Sequence, residues 1–474
     1  MSRSCHFGRR RVVAALAVLV VSGVTPIVAS GAPAGAAGFP LYSSHALAGT
    51  YGTPPETTKD PDHPARQLCY KAPCSAGKAT YAEEVRTMAV SGNRLFLGGF
   101  FHGLVDGSRQ PVSPNTPFLA ELDATTGRLA ADQTFARNAA PDGTVESIVV
   151  APDRNRVYVG GRFSHIGGGA ANRVAALNLQ TGKLDPTFHG PAFDDAVRSI
   201  ALSGDRLFVG GQFLKAGTAK APGVTALNAA DGSLVPGWTP PLNYGGSYIH
   251  VAATHTESTQ GVVYAIAVAD GGNLLMVGGD FQHLGWTASQ DKNGLRYGGL
   301  VALNTSDGKL ASWHPFNSRP VLGMAVSPDG QRLYTAEGGS GGYVGAFDPG
   351  GTENQLWFGR VDGDAMSVAA TDQRVYVGGH FDAEVPNHND NCLKSIPTHC
   401  TKTGSHHRHL VAFNLQGKAD PGWTAQADTP EGPTFLLAGR SALYLGGNFT
   451  NTLDKSKLDG GTGIPHPGFA MFPG

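Results

Sequence analysis

Charged residues are scarce in this sequence, and neither sign is in excess. Asp, Glu, Lys and Arg make up 15% of the chain, and 36 basic against 37 acidic residues give a formal net charge of −1 at pH 7. A nucleic-acid partner would require a basic face, and these totals give no sign of one, so no nucleic-acid partner is expected. Glycine is instead abundant, at 66 residues, which is typical of a chain with many tight turns.

Long apolar runs are equally scarce. Residues 12–24 form the one run that competes as a membrane span, and it is too short to cross a bilayer comfortably. Arginines at positions 3, 9, 10 and 11 precede the run, and small residues follow it. This order predicts a signal peptide over residues 1–36, cleaved near Ala36 or Ala37, and therefore a secreted protein without a membrane span. Twin-arginine export and general secretion both stay open.

Cysteine is also rare. Cys5 would leave with the signal peptide, so that the mature chain keeps Cys69, Cys74, Cys392 and Cys400. An even count in a secreted chain favours disulfide bonds, and three pairings are possible. The short spacings favour Cys69–Cys74 and Cys392–Cys400, which would act as staples within loops.

Familiar catalytic motifs are missing as well. The sequence contains no nucleophile elbow, no zinc-protease motif and no phosphate-binding loop. Its Gly-Gly-x-Phe phrases are not dinucleotide fingerprints, because no helix is predicted after them. No reaction type is therefore indicated by a motif.

What the sequence does have is a repeated phrase. Spacing between successive copies varies from 42 to 68 residues, so the core of each unit is fixed and its loops are not. The fifth copy is altered and reads LYTAEGG, whereas the other six end in Gly-Gly-x-Phe. Repetition on this scale predicts a repeat architecture. The seven copies occupy residues 95–101, 157–163, 207–213, 275–281, 333–339, 375–381 and 443–449.

The third copy shows the layout of one unit. Strands are predicted at 197–203, 206–213, 223–228 and 233–238, with turn-forming residues between them. These strands are apolar on both faces, which is typical of strands covered on both sides. Four-stranded sheets stacked face to face around an axis meet that condition. The sequence therefore predicts an all-β fold, a seven-bladed β-propeller of four-stranded antiparallel blades.

The double glycine has a structural interpretation. Glycine inside a strand marks a bulge or a close approach of backbone, so the pair is expected to let neighbouring blades meet. The phenylalanine after it is expected to wedge into the seam between blades, at Phe101, Phe163, Phe213, Phe281, Phe381 and Phe449. Large aromatic residues are also expected on the fourth strands, at Phe188, Trp238, Trp313, Trp357 and Trp423.

Counting strands leaves the seventh blade one short, because the chain reaches Gly474 after its third strand. A bare edge would result unless another segment pairs with it. Residues 78–84 are the predicted donor, so that an N-terminal strand closes the ring. The predicted organisation is thus the signal peptide, an extended arm over 37–77 and a propeller over 78–474, and we expect a monomer.

Two phrases carry a family resemblance. They are A-x-S-x-D-x-x-L-Y-V-G-G-x-F and A-L-N-x-x-T-G-x-L-D-P-x-F, most complete at 151–163 and 175–188. These phrases resemble the delta-60 repeat β-propellers, which are secreted proteins found largely in bacteria. Residues 325–337 are similar to a YVTN-type repeat of the wider WD-like propeller superfamily. The resemblance covers about residues 86–472, implies the propeller fold and transfers no catalytic motif.

Candidate binding residues lie in three long loops, at 239–262, 282–299 and 382–409. In a propeller the long connections emerge on one face, where binding and catalysis usually take place. Tyr, Trp and His with a few charges suit carbohydrate or peptide contacts, although the same residues also keep long loops soluble. The candidates are Tyr244, Tyr248, His250, His283, Trp286, Arg296 and His388.

A histidine cluster in the third loop invites a metal hypothesis. His406, His407 and His409 could bind zinc or copper, with His388 or Asp390 as a further ligand. Their spacing matches no known ligand pattern, and a polar surface loop explains them as well. They are weak metal candidates, and the cofactor stays unknown.

Glu337 stands where the other units have their second glycine. It could be an acid or base with a raised pKa, with His407 as a second weak catalytic candidate. It could also be a hydrogen-bonding side chain that compensates for an altered repeat, which the irregularity of that unit favours.

The preferred functional prediction is a secreted binding or scaffold protein that recognises an extracellular protein or glycan through its long-loop face. The alternative is a polysaccharide lyase or hydrolase that uses a Glu/His acid–base pair, and a metal- or quinone-dependent oxidoreductase is a third, weaker one. An aromatic platform at the ring opening would favour the binder. A convergent acidic or histidine pair would favour the enzyme.

Overall fold

The computed structural model of the protein describes residues 39–43, 46–47, 56–57, 81–106, 108–112, 116–240, 244–245, 261–281, 283–284, 299–313, 315, 319–339, 341–352, 354–384, 407–428, 430–453 and 463–474. Within these ranges the chain is all-β, with a single six-residue α-helix at Thr134–Ala139 and two 3₁₀ turns at Pro152–Arg154 and Asp270–Gly272. No helix in this part of the chain has the length and apolar character needed to cross a membrane.

Seven antiparallel sheets, numbered here 1 to 7 in chain order, contain most of the described strand residues. Each is a meander in which the second strand lies between the first and the third. The first strands are Glu84–Ser91, Val145–Ala151, Val197–Ser203, Val262–Ala269, Val321–Val326, Asp364–Ala370 and Pro430–Ala438. The second strands are Arg94–Phe100, Arg156–Gly161, Arg206–Gly211, Leu274–Asp280, Leu333–Glu337, Arg374–His380 and Ala442–Phe449. The third strands are Leu119–Asp123, Val174–Asn178, Val224–Asn228, Leu300–Asn304, Gly342–Phe347, Leu410–Asn414 and Phe469–Pro473.

A full fourth strand, Gln355–Val361, occurs in sheet 5. In the described parts of sheets 1, 2, 3, 4 and 6, the fourth segment makes one β-bridge instead, such as Leu177↔Leu184 or Leu227↔Leu234. Predicting four strands in every blade was therefore wrong in detail. Proline follows two residues after the bridge at Pro186 and Pro236, and because proline has no N–H donor the ladder cannot continue.

Short strands of two or three residues also occur outside the seven sheets, in the segments that connect the longer strands. They are Glu56–Thr57, Tyr81–Ala82, His165–Ile166, Gly169–Ala170, Lys215–Ala216, Ala219–Lys220, Tyr244–Gly245, His283–Leu284, Gln426–Ala427, Asn451–Leu453 and Ile464–Pro465.

The first strands contact one another in closed succession. Each first strand contacts that of the next sheet, and the first strand of sheet 7 contacts that of sheet 1. Side chains reinforce this: the Ile148 N–H donates to Thr87 Oγ1, and the Ile200 N–H to Ser147 Oγ, each at 3.1 Å. The apolar core is divided accordingly into seven clusters, each built mainly from two consecutive sheets, with sheets 7 and 1 sharing one.

The two glycines of the repeated phrase have different roles. A Cβ atom on Gly160, the first of its pair, would lie 2.6 Å from Val197 Cγ1 on the next sheet. A Cβ atom on Gly161, the second, would lie 2.1 Å from the Thr144 carbonyl oxygen of its own sheet. Real Cβ atoms do not approach so closely, so the first glycine admits the neighbouring sheet and the second admits a bulged strand. The predicted close approach of neighbouring units is confirmed.

The phenylalanine wedges are also confirmed. Phe101, Phe163, Phe213, Phe281, Phe381 and Phe449 are all buried within the inter-sheet clusters. The aromatic residues of the fourth segments pack there too, and two of their indoles donate to carbonyls of the next sheet. Trp238 Nε1 donates to the Thr305 carbonyl at 3.1 Å, and Trp357 Nε1 to the Leu415 carbonyl at 2.9 Å.

The segment beside the last strand is not the one that the sequence predicted. The Ser43 N–H donates to the Pro473 carbonyl at 2.7 Å and the Leu47 N–H to the Met471 carbonyl at 2.8 Å. The described part of the predicted donor, residues 81–84, is used elsewhere, because Tyr81–Ala82 pairs with Glu56–Thr57 and Glu84 already begins the first strand. An N-terminal segment does lie beside the last strand, but predicting residues 78–84 as that segment was wrong.

Tyr42 anchors this N-terminal segment. Its ring is buried and lies 5.5 Å from the ring of Tyr376 in sheet 6, and its hydroxyl donates to the Gly439 carbonyl in sheet 7 at 2.7 Å. Burial of a large aromatic ring with a satisfied hydroxyl is a strong local anchor. The packing of this ring holds the segment against the edge, where the sequence pattern gives no strand signal.

Candidate functional site

Where the long connections are described, the one that enters a sheet lies beside the loop that leaves the second strand of that sheet. Tyr244–Gly245, between sheets 3 and 4, pairs with His283–Leu284, which follows the second strand of sheet 4. Gln426–Ala427 pairs in the same way with Asn451–Leu453, and single bridges join Pro141 to Ile166 and Phe193 to Ala216. In sheets 2, 3, 4 and 7 the connection that enters the sheet thus meets the loop that leaves its second strand.

An aspartate that recurs at four of these connections holds each pair together, and it was not predicted from the sequence. Asp142 Oδ1 accepts the N–H groups of Ser164 and His165 at 2.7 and 2.9 Å. Asp194, Asp362 and Asp428 accept two successive backbone N–H groups from the corresponding loops in the same way. The loop bases are therefore held by rigid, charge-assisted bonds.

Two of the predicted ligand-binding residues are brought to neighbouring strands. Tyr244 and His283 lie on the two short strands that pair, with Gly245 opposite His283. Tyr248, His250, Trp286, Arg296 and His388 lie outside the described residues, as do His406 and the four mature cysteines Cys69, Cys74, Cys392 and Cys400.

The weak catalytic and metal candidates are buried. Glu337 is 5% exposed and its Oε1 accepts the Thr335 hydroxyl at 2.7 Å, which fits its interpretation as a hydrogen-bonding side chain of sheet 5. His407 and His409 are 6% and 2% exposed, and His409 Nδ1 lies 2.9 Å from the Gly379 carbonyl. The described part of the chain contains no group of three or more His, Cys, Asp or Glu side chains arranged to hold a metal ion.

A cluster of charged and polar side chains lies near the bases of the loops, and its residues were not predicted from the sequence. Register shifts between Val85 and Thr87, Val145 and Ser147, and Val197 and Ser199 leave one bulged residue on each of three first strands. These bulged residues are Arg86, Glu146 and Arg198. The second glycine of each repeated phrase makes room for the bulge, so the motif that builds the fold also positions these side chains.

The variable position of Gly-Gly-x-Phe adds two further side chains to this group, Arg162 and Gln212. Each directly follows the glycine pair of its sheet. Together with Glu84, the five residues form what we call the guanidinium cluster, which spans sheets 1, 2 and 3 at the loop end.

One carboxylate oxygen organises the guanidinium cluster. Glu146 Oε1 lies 2.9 Å from Arg86 Nη1, 2.9 Å from Arg162 Nε and 3.2 Å from Arg198 Nη1. Arg86 Nε also donates to Glu84 Oε1 at 2.6 Å. Three guanidinium groups against two carboxylates leave the cluster with one excess positive charge.

Gln212 completes the arrangement as a neutral acceptor. Its Oε1 accepts from Arg198 Nη2 at 2.9 Å, and from Arg198 Nε and Arg162 Nη2 at 3.2 Å. The Nε and Nη2 edge of Arg198, which is the fork that binds carboxylates bidentately, therefore faces an uncharged oxygen.

Burial and the surrounding charges set the ionisation of the cluster. Burial alone would raise the pKa of Glu146, but the guanidinium groups of Arg86, Arg198 and Arg162 outweigh it and lower that pKa to about 2. Burial also lowers the pKa of Arg198; the Glu146 carboxylate opposes this effect, and the charges of Arg162 and Arg86 add to it. Arg198 also lies farthest of the three guanidinium groups from Glu146 Oε1, at 3.2 Å.

The arginine side chains keep contact with solvent while their carboxylate does not. Exposed fractions are 28% for Arg86, 14% for Arg162 and 23% for Arg198, against 5% for Glu146. A solvent-borne anion can therefore reach the guanidinium groups.

Further polar groups border the guanidinium cluster on both sides. Tyr264, the bulged residue of sheet 4, lies close enough for the Arg198 charge to oppose the rise that burial causes in its pKa. On the other side, burial first and then the Glu84 carboxylate raise the pKa of Glu431, while His380 and Arg86 oppose the rise. The loop end of the first strands is thus lined by hydrogen-bonding and ionisable groups.

A signal for the guanidinium cluster was present in the sequence. Arg86, Glu146 and Arg198 are single charges inside otherwise uncharged strand segments that read VRTM, VESI and VRSI. An isolated charge at the same place in three successive repeats is unusual, because charged residues are rarely buried without partners.

Comparisons with known proteins identify no family. No protein-family model matches the sequence, and no curated protein matches it. Among solved structures, the computationally designed Ika8 protein has a TM-score of 0.40 and 12% identity, with 82% of this chain and 96% of the designed chain covered. The extracellular domain of a candidate one-component system from B. thetaiotaomicron has a TM-score of 0.41 and 13% identity, and the match covers 82% of this chain but 38% of that one. Neither likeness carries a functional argument.

Proposed function

We propose that this chain is a secreted, seven-bladed β-propeller that acts as a binding protein, recognising an extracellular glycan or protein through the end of the sheets where its long connections lie. The observation that carries the proposal is the pairing of those connections, because a rigid rim of loops around a polar centre is the arrangement of a recognition surface.

The propeller assignment is supported by the closed succession of first-strand contacts and by the seven inter-sheet core clusters. In such a ring the first strands surround the axis and sheets are covered on both faces, which accounts for strands that are apolar on both sides. The guanidinium cluster then lies beside the axis at the loop end.

Rigid support of the loop bases favours binding over a purely structural role. Four aspartates, each fixing two successive backbone N–H groups, hold the loop bases in place before any ligand arrives. A preformed surface loses less conformational entropy on binding.

The test uses the full secreted chain on a biosensor surface, exposed to a panel of extracellular polysaccharides and to the proteins released by the producing cells. We expect saturable binding to at least one class, weakened by Trp286→Ala. Leu356→Ser is the matched control, because Leu356 is 47% exposed on the fourth strand of sheet 5. The proposal fails if nothing in the panel binds, or if both variants bind as the parent does.

The polysaccharide-enzyme alternative has weaker support. Glu337 and His407 are both buried, and Glu337 already accepts a hydrogen bond from Thr335. The same panel, scored for new reducing or unsaturated ends, separates the two functions, since a binding protein leaves the polysaccharide intact.

A further inference from the structure

We infer that the guanidinium cluster is a carboxylate-binding subsite and that the ligand is an acidic glycan, recognised through the carboxylate of a uronic acid residue. This rests on the proposed binding function and names the chemical class of its ligand.

The charges of the guanidinium cluster do not balance. Arg86, Arg162 and Arg198 share a single oxygen of Glu146, and only Arg86 has a second carboxylate, Glu84, among the described residues. Buried like charges repel one another unless an anion lies between them, so a cluster built for stability alone would carry matched charges. One additional carboxylate would neutralise the group.

The geometry of Arg198 suits a carboxylate. Its Nε and Nη2 donate together to the amide oxygen of Gln212, at 3.2 and 2.9 Å. A ligand carboxylate would take the place of that amide oxygen and form two charge-assisted bonds, which are roughly twice as strong as neutral ones. Gln212 is a side chain on a long, rotatable stem, and its partial exposure leaves room for it to turn away.

The groups around the cluster favour a sugar over an acidic peptide. They are the Gln212 amide and the Tyr264 hydroxyl, which can both donate and accept hydrogen bonds, and the Glu84 carboxylate, which accepts them. A uronic acid presents its carboxylate beside several hydroxyl groups, each of which is a donor and an acceptor. An acidic side chain of a peptide presents its carboxylate on an apolar stem, which offers no additional donors or acceptors to those bordering groups.

The position in the fold agrees with this assignment. The bulges lie at the starts of the first strands, where the long connections enter the sheets, so a chain-like ligand held by the loops can reach the cluster with one residue. The exposed fractions of the three arginines, 14% to 28%, fit contact with a single small group.

The experiment measures affinity of the full secreted chain for trigalacturonate, for oligomannuronate and for their carboxyl-reduced counterparts by isothermal titration calorimetry. Each pair differs only in the carboxylate. We expect at least one acidic oligosaccharide to bind about tenfold or more tightly than its reduced form, with affinity that falls as sodium chloride rises, because the contact is between charges.

Two arginine variants provide the matched comparison. Arg198→Gln should weaken binding of the acidic oligosaccharide about tenfold or more, consistent with loss of a bidentate contact. Arg154→Gln should leave the affinity unchanged, because Arg154 is similarly exposed, at 24%, but pairs with Asp205 at the turn end of the sheets. Equal losses in both variants, or none in either, would overturn the inference.

A third variant covers the case in which Arg198→Gln does not fold. Gln212→Glu places a permanent carboxylate on the fork of Arg198, so it should raise the melting temperature while abolishing preference for the acidic sugar. Retained preference for the acidic over the reduced sugar in this variant would contradict the inference.

The outcomes also separate this inference from the proposed function. Binding of neutral glycans, or of a protein partner, without any carboxylate preference would keep the binding function and discard the subsite. Arginine-dependent binding of poly-glutamate in place of the sugars would discard the glycan and make the ligand an acidic peptide.

Discussion

Arg162 donates through Nε to Glu146 Oε1 at 2.9 Å, and each residue owes its position to the same glycine pair. Arg162 directly follows Gly160 and Gly161, while Glu146 is bulged from the strand that faces them. Because Gly161 has no Cβ, the bulge can approach it, and the two side chains meet at the loop end. The repeated glycine pair therefore determines both how the sheets pack and where these two side chains of the candidate site lie.

The carboxylate of Glu146 should stabilise the fold in a pH-dependent way. Its pKa is about 2 in the folded protein against an ordinary value of 4.5, so its contribution is complete above pH 4.5 and is lost as pH falls towards 2. Glu146→Gln should lower the free energy of unfolding by about 3 kcal/mol at pH 7 and by about 1 kcal/mol at pH 3. Denaturant unfolding at both pH values measures the difference. Asp153→Asn, at a well-exposed carboxylate, should change little at either pH, and an equal loss for Glu146→Gln at both would refute the charge argument.

His466 should make the protein less stable in weak acid. Burial lowers the pKa of its ring to about 4, from an ordinary 6.5, so the unfolded chain binds a proton between these values and the folded chain does not. The free energy of unfolding should therefore fall by about 2 kcal/mol through this residue between pH 7.5 and pH 5. In His466→Gln that part of the pH dependence should disappear, whatever the variant's stability at pH 7.5. A parallel pH profile in parent and variant would show that the ring does not titrate differently on folding.

The two glycines of one phrase should differ in their tolerance of a methyl group. Gly160→Ala meets the side chain of Val197, which can shift, and should cost about 1–3 kcal/mol. Gly161→Ala meets the Thr144 carbonyl, which cannot shift without disturbing the bulge, and should cost more or prevent folding. Gly204→Asn is the control, because Gly204 has a φ of +53° and open space around it. Thermal melts rank the three, and Gly160→Ala as the worst would contradict the assigned roles.

The N-terminal segment should stabilise the last sheet. Tyr42→Ala removes a buried ring and its bond to Gly439, and should cost about 3 kcal/mol or more. Leu41→Ala, at the exposed neighbour, should cost less than about 0.5 kcal/mol. Deleting residues 39–47 should uncover the edge of Phe469–Pro473 and cause aggregation that depends on concentration. Light scattering and melting curves measure these effects, and a deletion variant as stable and monodisperse as the parent would show that the segment is dispensable.

The regular parts of the molecule could be predicted from the sequence because they repeat. The strands, the burial of Phe163 and its equivalents, and the meeting of the long connections each follow from a pattern that occurs several times. The short fourth strands could also be predicted, because Pro186 and Pro236 lie where a longer strand would need a backbone N–H donor.

The rest depends on contacts that a repeat pattern does not encode. Ser43 and Leu47 lie in a stretch without a strand signal, and their partners lie at the far end of the chain, so nothing local predicts the pairing. Most side chains of the guanidinium cluster occupy two positions of the repeat, the bulged residue of the first strand and the residue after the glycine pair. The residue type at both positions varies between repeats, so a search for repeated residues does not select them. Only the placement of the bulges shows that the two positions are neighbours, as in the contact between Arg162 and Glu146.

A crystal structure of the secreted protein soaked with trigalacturonate, or with whichever acidic oligosaccharide binds most tightly, tests the central claim most directly. The account predicts a carboxylate within hydrogen-bond distance of Arg198 Nε and Nη2, with the Gln212 amide turned away from that fork. A saccharide bound elsewhere on the protein, with Gln212 still on Arg198, would contradict it.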